Sequence, residues 1–219
     1  MKSSSTKNSL LIAIGVLVLS QVLFWLWSTW ITRTLVDEPV LLGATTVIDR
    51  TIRVPVAETY ELSLVFPRYI GQDDLRDYLD GEGYFKGQWP AGSASIPVKW
   101  SLTNARTNRV AASGVANTLE LTAWSHDTVW THVAHVKVPA GAYAFKAEVL
   151  KPQAPELGGA EPRLELALPG RKASSTWQLS VVFWGSLIAP VVIWPLTMLL
   201  VGLALWQLRP AKRDKKVGS

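Results

Sequence analysis

Two apolar stretches without a single charged residue stand at opposite ends of this chain, and they confine what it can fold into. The first runs from about Ser9 to Ile31, between Lys7 and Arg33; the second runs from about Trp177 to Leu208, between Lys172 and Arg209. Crossing the hydrocarbon core of a bilayer takes ~20 apolar residues in a helix, because no water inside satisfies a bare peptide group. Both stretches reach that length, so the sequence predicts two membrane-spanning helices. A cleavable leader is a poor account of the first. Its apolar run exceeds the ~7–15 residues of a signal core. The exit sequence Ser28-Thr-Trp-Ile-Thr-Arg33 also offers no small-x-small cleavage site.

Charge sets the expected orientation. Lys2 and Lys7 precede the first stretch, while Arg209, Lys212, Arg213, Lys215 and Lys216 follow the second, opposed only by Asp214. Basic flanks stay on the cytoplasmic side, so residues 1–8 and 209–219 are expected in the cytoplasm and residues 32–176 outside it. In a bacterium this is a two-pass inner-membrane protein with a periplasmic middle. The tails hold more positive charge than the whole chain's formal +5, which leaves the middle at about −1. The basic balance therefore reports anchoring beside an anionic leaflet, not a nucleic-acid surface. Trp25, Trp27 and Trp30 crowd the exit of the first stretch, Trp177 and Trp184 the entry of the second, and Trp206 its far end. Indoles favour the headgroup layer, so these six are expected at the membrane interface. Neither stretch carries an ionisable residue of the kind that marks transport or proton relay. Pro190 and Pro195 are expected to kink the second helix, and small residues such as Gly15 and Gly185 to allow close helix approach.

The middle reads as one domain with a period of two. Tyr60, Leu62, Leu64 and Phe66 alternate with polar or small residues, as do Ile96, Val98, Trp100 and Leu102. Leu119, Leu121 and Ala123 repeat the pattern, followed by Tyr143, Phe145, Ala147 and Val149, and then by Leu164, Leu166 and Leu168. Such alternation makes strands with one face on a core. Ile48–Val56 and Thr128–Val138 are further candidates. Turn residues separate the runs at Thr107-Asn108, Ser113-Gly114, His126-Asp127 and Pro139-Ala-Gly141, where Gly141 is expected to supply a permissive backbone. The expected fold is mainly β: an antiparallel β-sandwich, immunoglobulin-like or jelly-roll, between two transmembrane α-helices. The long connection from Phe66 to Ile96 stands out. Asp73–Leu79 reads as a short helix capped by Asp73, followed by a Gly- and aromatic-rich loop up to Pro90.

Catalytic and metal chemistry find little footing. His132 and His135 are three apart in a strand, so they are expected on opposite faces, unable to share a metal. His126 sits at a turn. There is no cysteine, and no nucleophile elbow, phosphate loop or zinc-ligand spacing occurs. Asp73, Asp74, Asp77 and Asp80 do not have calcium-loop spacing. No cofactor, metal site or catalytic residue is expected. Protein binding is the better reading, with Tyr69, Tyr78, Tyr84, Phe85 and Trp89 as candidate anchors beside Arg68, because aromatic side chains dominate interface energetics. A loop that instead plugs one end of the core is the competing account of the same residues.

The order of motifs Glu58-Thr-Tyr-Glu-Leu-Ser-Leu-Val-Phe66, Ile96-Pro-Val-Lys-Trp-Ser-Leu102, Val138-Pro-Ala-Gly-Ala-Tyr143, Val149–Leu157 and Leu164–Leu168 resembles an uncharacterised bacterial exported β-sandwich family, domain of unknown function 5625. The resemblance spans about Ala44 to Leu168. It implies an exported β-sandwich and brings no catalytic residues. Members of that family often look like lipoproteins, whereas this chain carries two apolar stretches instead. Small anchored domains of this sort commonly accompany secreted antibacterial effectors as immunity proteins, so the expected partner is such a toxin. The alternatives are a structural or accessory subunit of an envelope complex, such as a transporter or secretion machine, and an enzyme or sugar-binding sandwich.

Overall fold

The computed structural model describes residues 2–42, 44–70, 73–75, 96–118, 120–150, 160–169 and 176–208. The chain divides into two compact units, residues 31–176 and the two terminal segments 1–30 and 177–219. The described elements are α1 (Lys2–Thr32), β1 (Val36–Pro39), β2 (Thr46–Val54), β3 (Glu58–Pro67), β4 (Tyr69–Ile70), β5 (Asp73–Asp74), β6 (Pro97–Asn104), β7 (Val110–Asn117), β8 (Glu120–Trp124), β9 (Thr128–Val138), β10 (Gly141–Val149), β11 (Arg163–Ala167), α2 (Trp177–Ile188), a π-helical turn (Ala189–Ile193) and α3 (Trp194–Leu208).

Residues 31–176 form two antiparallel sheets. The five-stranded sheet has the order β1-β11-β3-β9-β8, and the four-stranded sheet the order β2-β10-β6-β7. Both contribute to one core. Tyr60, Leu62, Leu64 and Phe66 from β3 are fully buried, and Ile96, Val98 and Leu102 join them with Tyr143, Phe145, Ala147 and Val149 from β10. The alternation expected in these strands is therefore present, because a pleated strand turns every second side chain inward. Leu164 and Leu166 are also buried, with Leu168 partly buried against the core. Trp100 spreads its indole over Gly114, its register partner on β7.

Two crossovers between the sheets share one device. The chain passes from β2 to β3, and later from β9 to β10, changing sheet each time. After the first crossing the Tyr60 hydroxyl donates to the Val56 carbonyl at 3.1 Å; after the second the Tyr143 hydroxyl donates to the Pro139 carbonyl at 3.0 Å. Each phenol thereby satisfies its polar end and pins the arch four residues upstream.

Several expectations need correction, among them the turn at Ser113-Gly114, since both residues lie inside β7. Asp73 and Asp74 pair as β5 with Tyr69 and Ile70 of β4, so the helical conformation expected from Asp73 starts at Leu75; residues 76–79 of that expected helix lie outside the described residues. Strand pairing supplies the two Asp residues with backbone partners, which outranks the weak helix propensity of Asp. Ala123 is exposed, because the β8–β9 register shifts between Leu121 and Ala123 and breaks the period. Gly141 lies in strand β10, where a side-chain carbon would meet the Tyr143 ring at ordinary contact distance, so its role is not a turn conformation. Finally, His132 and His135 do not lie on opposite faces. The β3–β9 register slips between Leu62 and Ser63, so that Leu62 faces Ala134 while Ser63 faces His132. The extra residue in β9 reverses the alternation, and the two imidazole rings end up 4.2 Å apart.

The terminal segments form a helical unit. Residues 11–32 and 177–206 are both long and apolar enough to cross a membrane. Most of their large apolar side chains face outward. Polar side chains turn back on their own helices: Ser20, Thr29, Ser186 and Thr197 donate to the carbonyls of Leu17, Trp25, Phe183 and Ile193. The two segments touch through Gln21, whose amide donates to the Thr197 hydroxyl at 3.1 Å, through Phe24 against Gly185, and through stacked Trp27 and Trp177. The π-helical turn falls at Pro190 and ends before Pro195. Each proline removes a backbone donor and crowds the preceding turn, so the ladder widens locally rather than breaking.

Candidate functional site

The candidate surface is built where β3 leaves the five-stranded sheet. Arg68 follows its last residue and is held from three sides. Its backbone N–H donates to the Asp127 carbonyl at 2.8 Å, its guanidinium donates to the Ser125 carbonyl at 3.1 Å, and its own carbonyl accepts from Leu75 at 2.7 Å. The guanidinium carbon lies 5.2 Å from the centre of the Tyr69 ring, in cation–π range. Tyr69 is 47% exposed.

The 125–127 turn that holds Arg68 is itself pinned by a side chain. The Ser125 hydroxyl accepts from the backbone of Asp127 and Thr128, and its backbone closes on the Thr128 carbonyl at 2.8 Å. Ser and Asp favour such turns because their side chains replace missing backbone partners. Trp124, which enters this turn, is 57% exposed. His126 and Asp127 form an exposed pair at 3.0 Å. The result is one sheet end carrying an indole, a phenol and a fixed guanidinium, a combination suited to a protein contact.

Of the expected anchors, Tyr69 stands on this surface. Tyr78, Tyr84, Phe85 and Trp89 lie outside the described residues, as does most of the 67–95 connection. Leu75 is buried in the core, so the connection begins by plugging the sheet end it leaves. Trp124 was not among the expected anchors. Its signal is its position immediately before a Ser-His-Asp turn, which lifts a strand-end aromatic out of the core. Of the expected interfacial tryptophans, Trp25, Trp30, Trp177, Trp184 and Trp206 face outward, while Trp27 is partly covered.

Among the described residues no group of three or more His, Cys, Asp or Glu is arranged to hold a metal ion. Among the described residues of the domain, Glu38, Arg50 and Arg163 depart clearly from ordinary values through ion pairing. The Arg50 guanidinium, bonded to Glu38 at 2.7 Å, holds that carboxyl below the usual range, and Arg50 is raised in turn. Arg163 is raised by its bond to Asp37. Glu38 and Arg50 lie on the edge strands β1 and β2, and Asp37 of β1 pairs with Arg163 of the neighbouring strand β11.

No family model matches this chain, and no curated protein does. Among solved structures, it is similar to a crystal structure of a protein from Sulfurospirillum deleyianum. The two share 14% identity over 62% of this chain and 98% of that chain, with a TM-score of 0.46.

Proposed function

We propose that this is a two-pass protein of the bacterial inner membrane, with both termini in the cytoplasm, displaying residues 32–176 in the periplasm as a non-enzymatic module that binds another protein. The placement is supported by the two span-length helices, the basic tails and the outward tryptophans. We read the two sheets as a sandwich. The paired tyrosine hydroxyls at the crossovers favour the immunoglobulin-like form, in which such corners recur, and the resemblance to the exported family fits the same reading. The observation that carries binding is the exposed Tyr69–Arg68–Trp124 end. In its sharpest form the module is an immunity protein that occludes a toxin arriving in the periplasm. Anchoring keeps it at high local concentration where the toxin acts.

The test is photo-crosslinking in native membranes. A photoreactive amino acid at Tyr69 or Trp124 yields a discrete protein adduct, and one at Val47, exposed on β2, does not. Equal adducts from all three positions, or none, remove the interface. The second reading, a subunit of an envelope assembly, is favoured by Gly15 and Gly202, where an added side-chain carbon meets nothing within 4 Å. Replacing both spans by an unrelated hairpin anchor separates the two: immunity survives the swap, and assembly does not.

A further inference from the structure

We propose that His132 and His135 form a chelating pair for a late first-row divalent cation, with Zn²⁺ as the type, on the outer face of the five-stranded sheet. The pair is made by the β9 irregularity. Without it, residues three apart face opposite ways; with it, the ring centres stand 4.2 Å apart and tilted by 44°. A single zinc ion with nitrogen bonds of ~2.0–2.1 Å needs two ring nitrogens roughly 3.3 Å apart and aimed at one point, so to take the ion the two rings turn about their side-chain bonds and open from their present contact. Imidazole is the ligand that zinc, nickel and copper share.

A third residue positions the pair. Glu61 is the register partner of His135 on β3, and its Oε1 lies 3.3 Å from Nδ1 of His132. A carboxylate on one ring nitrogen fixes the tautomer with the proton there, which leaves the Nε2 lone pair for a cation. Metal-bound histidines almost always donate their other ring N–H to a carboxylate, a backbone carbonyl or water, and here the carboxylate is in place. The His132 and Glu61 side chains are 25% and 19% exposed, sheltered enough to be ordered and open enough for an ion to enter. With two protein ligands the ion keeps water in its remaining positions. The proposal stands apart from the protein-binding reading, since it uses a different part of the domain.

The test uses the full-length protein in detergent, stripped with chelator and titrated calorimetrically with zinc chloride. The chain has three histidines, so the His132→Ala/His135→Ala double variant retains His126 and reads the background. The wild type binds one ion per chain. Each single alanine variant weakens binding at least tenfold. Glu61→Gln weakens it by about tenfold, the lower end for loss of a supporting carboxylate. Zinc also raises the melting temperature of the wild type but not of the double variant, and magnesium, which prefers oxygen ligands, does neither. Equal affinity of wild type and double variant overturns the proposal, as does binding that disappears only with His126→Ala. Matching melting curves of the metal-free proteins establish that the variants are folded.

Discussion

Tyr60 is fully buried, and its hydroxyl reaches the Val56 carbonyl. Burial pushes its phenol up to about 12. Between the ordinary value of ~10 and that raised value, the unfolded chain has lost the proton while the folded chain keeps it, so stability falls as pH rises through this window. Thermal melts from about pH 9 to about pH 11.5 should show a steeper loss for the wild type than for Tyr60→Phe. Parallel slopes contradict the assignment. At neutral pH the same substitution should cost about 1 kcal/mol, because it strands the Val56 carbonyl. Gly114 is a second pressure point. A side-chain carbon there meets the Trp100 indole at 3.1 Å, and Trp100 is only 8% exposed. Gly114→Val should therefore destabilise by about 1–3 kcal/mol in urea titration, the usual penalty for overpacking. Neither feature was legible from sequence. Ser113-Gly114 read as a turn, because glycine punctuates loops, but across a strand pair the same residue makes room for an aromatic ring. The reach of Tyr60 back to Val56 depends on an arch that no local pattern encodes.

The edge strands show how the open side of the two sheets is closed. Arg50 on β2 and Glu38 on β1 stand on opposite sheets and meet at 2.7 Å. Charged residues on edges also discourage pairing with other chains. Because Arg50 lowers the Glu38 carboxyl, the pair contributes stability above the ordinary carboxylate range, and that contribution is lost as pH falls through the lowered value. From about pH 6 to about pH 3 the unfolding midpoint of the wild type should fall more than that of Arg50→Met; equal falls remove the pair from the account. At the helical ends, a side-chain carbon on Gly185 falls 2.3 Å from the Phe24 ring. A Gln21→Cys/Thr197→Cys variant of this cysteine-free chain should crosslink, and adding Gly185→Ile should abolish the crosslink. Retention of the crosslink contradicts the packing. Strands and helices were readable as elements, since periods of two and long uncharged runs are local signals. The β9 irregularity was not, because one inserted residue depends on its partner strand, and it moved a histidine from one face to the other.

At the scale of the molecule, a β unit is enclosed in sequence between two helices that share a second unit. Both ends of that arrangement were visible in composition alone: charge-free runs at the termini and alternation between them. The aromatic sheet end was half visible, through Tyr69 and Arg68, while Trp124 joins it only because Arg68 bonds the turn that follows. The central claim is that the β unit lies outside the cytoplasm while both tails lie inside. The chain has no native cysteine, so single reporters are unambiguous. The direct measurement labels Ser113→Cys, Ser4→Cys and Ser219→Cys variants with a membrane-impermeant maleimide in spheroplasts. The account predicts that Ser113→Cys is labelled in intact spheroplasts and the two tail positions only after permeabilisation. Labelling of the tails in intact spheroplasts, or of Ser113→Cys only after lysis, contradicts it.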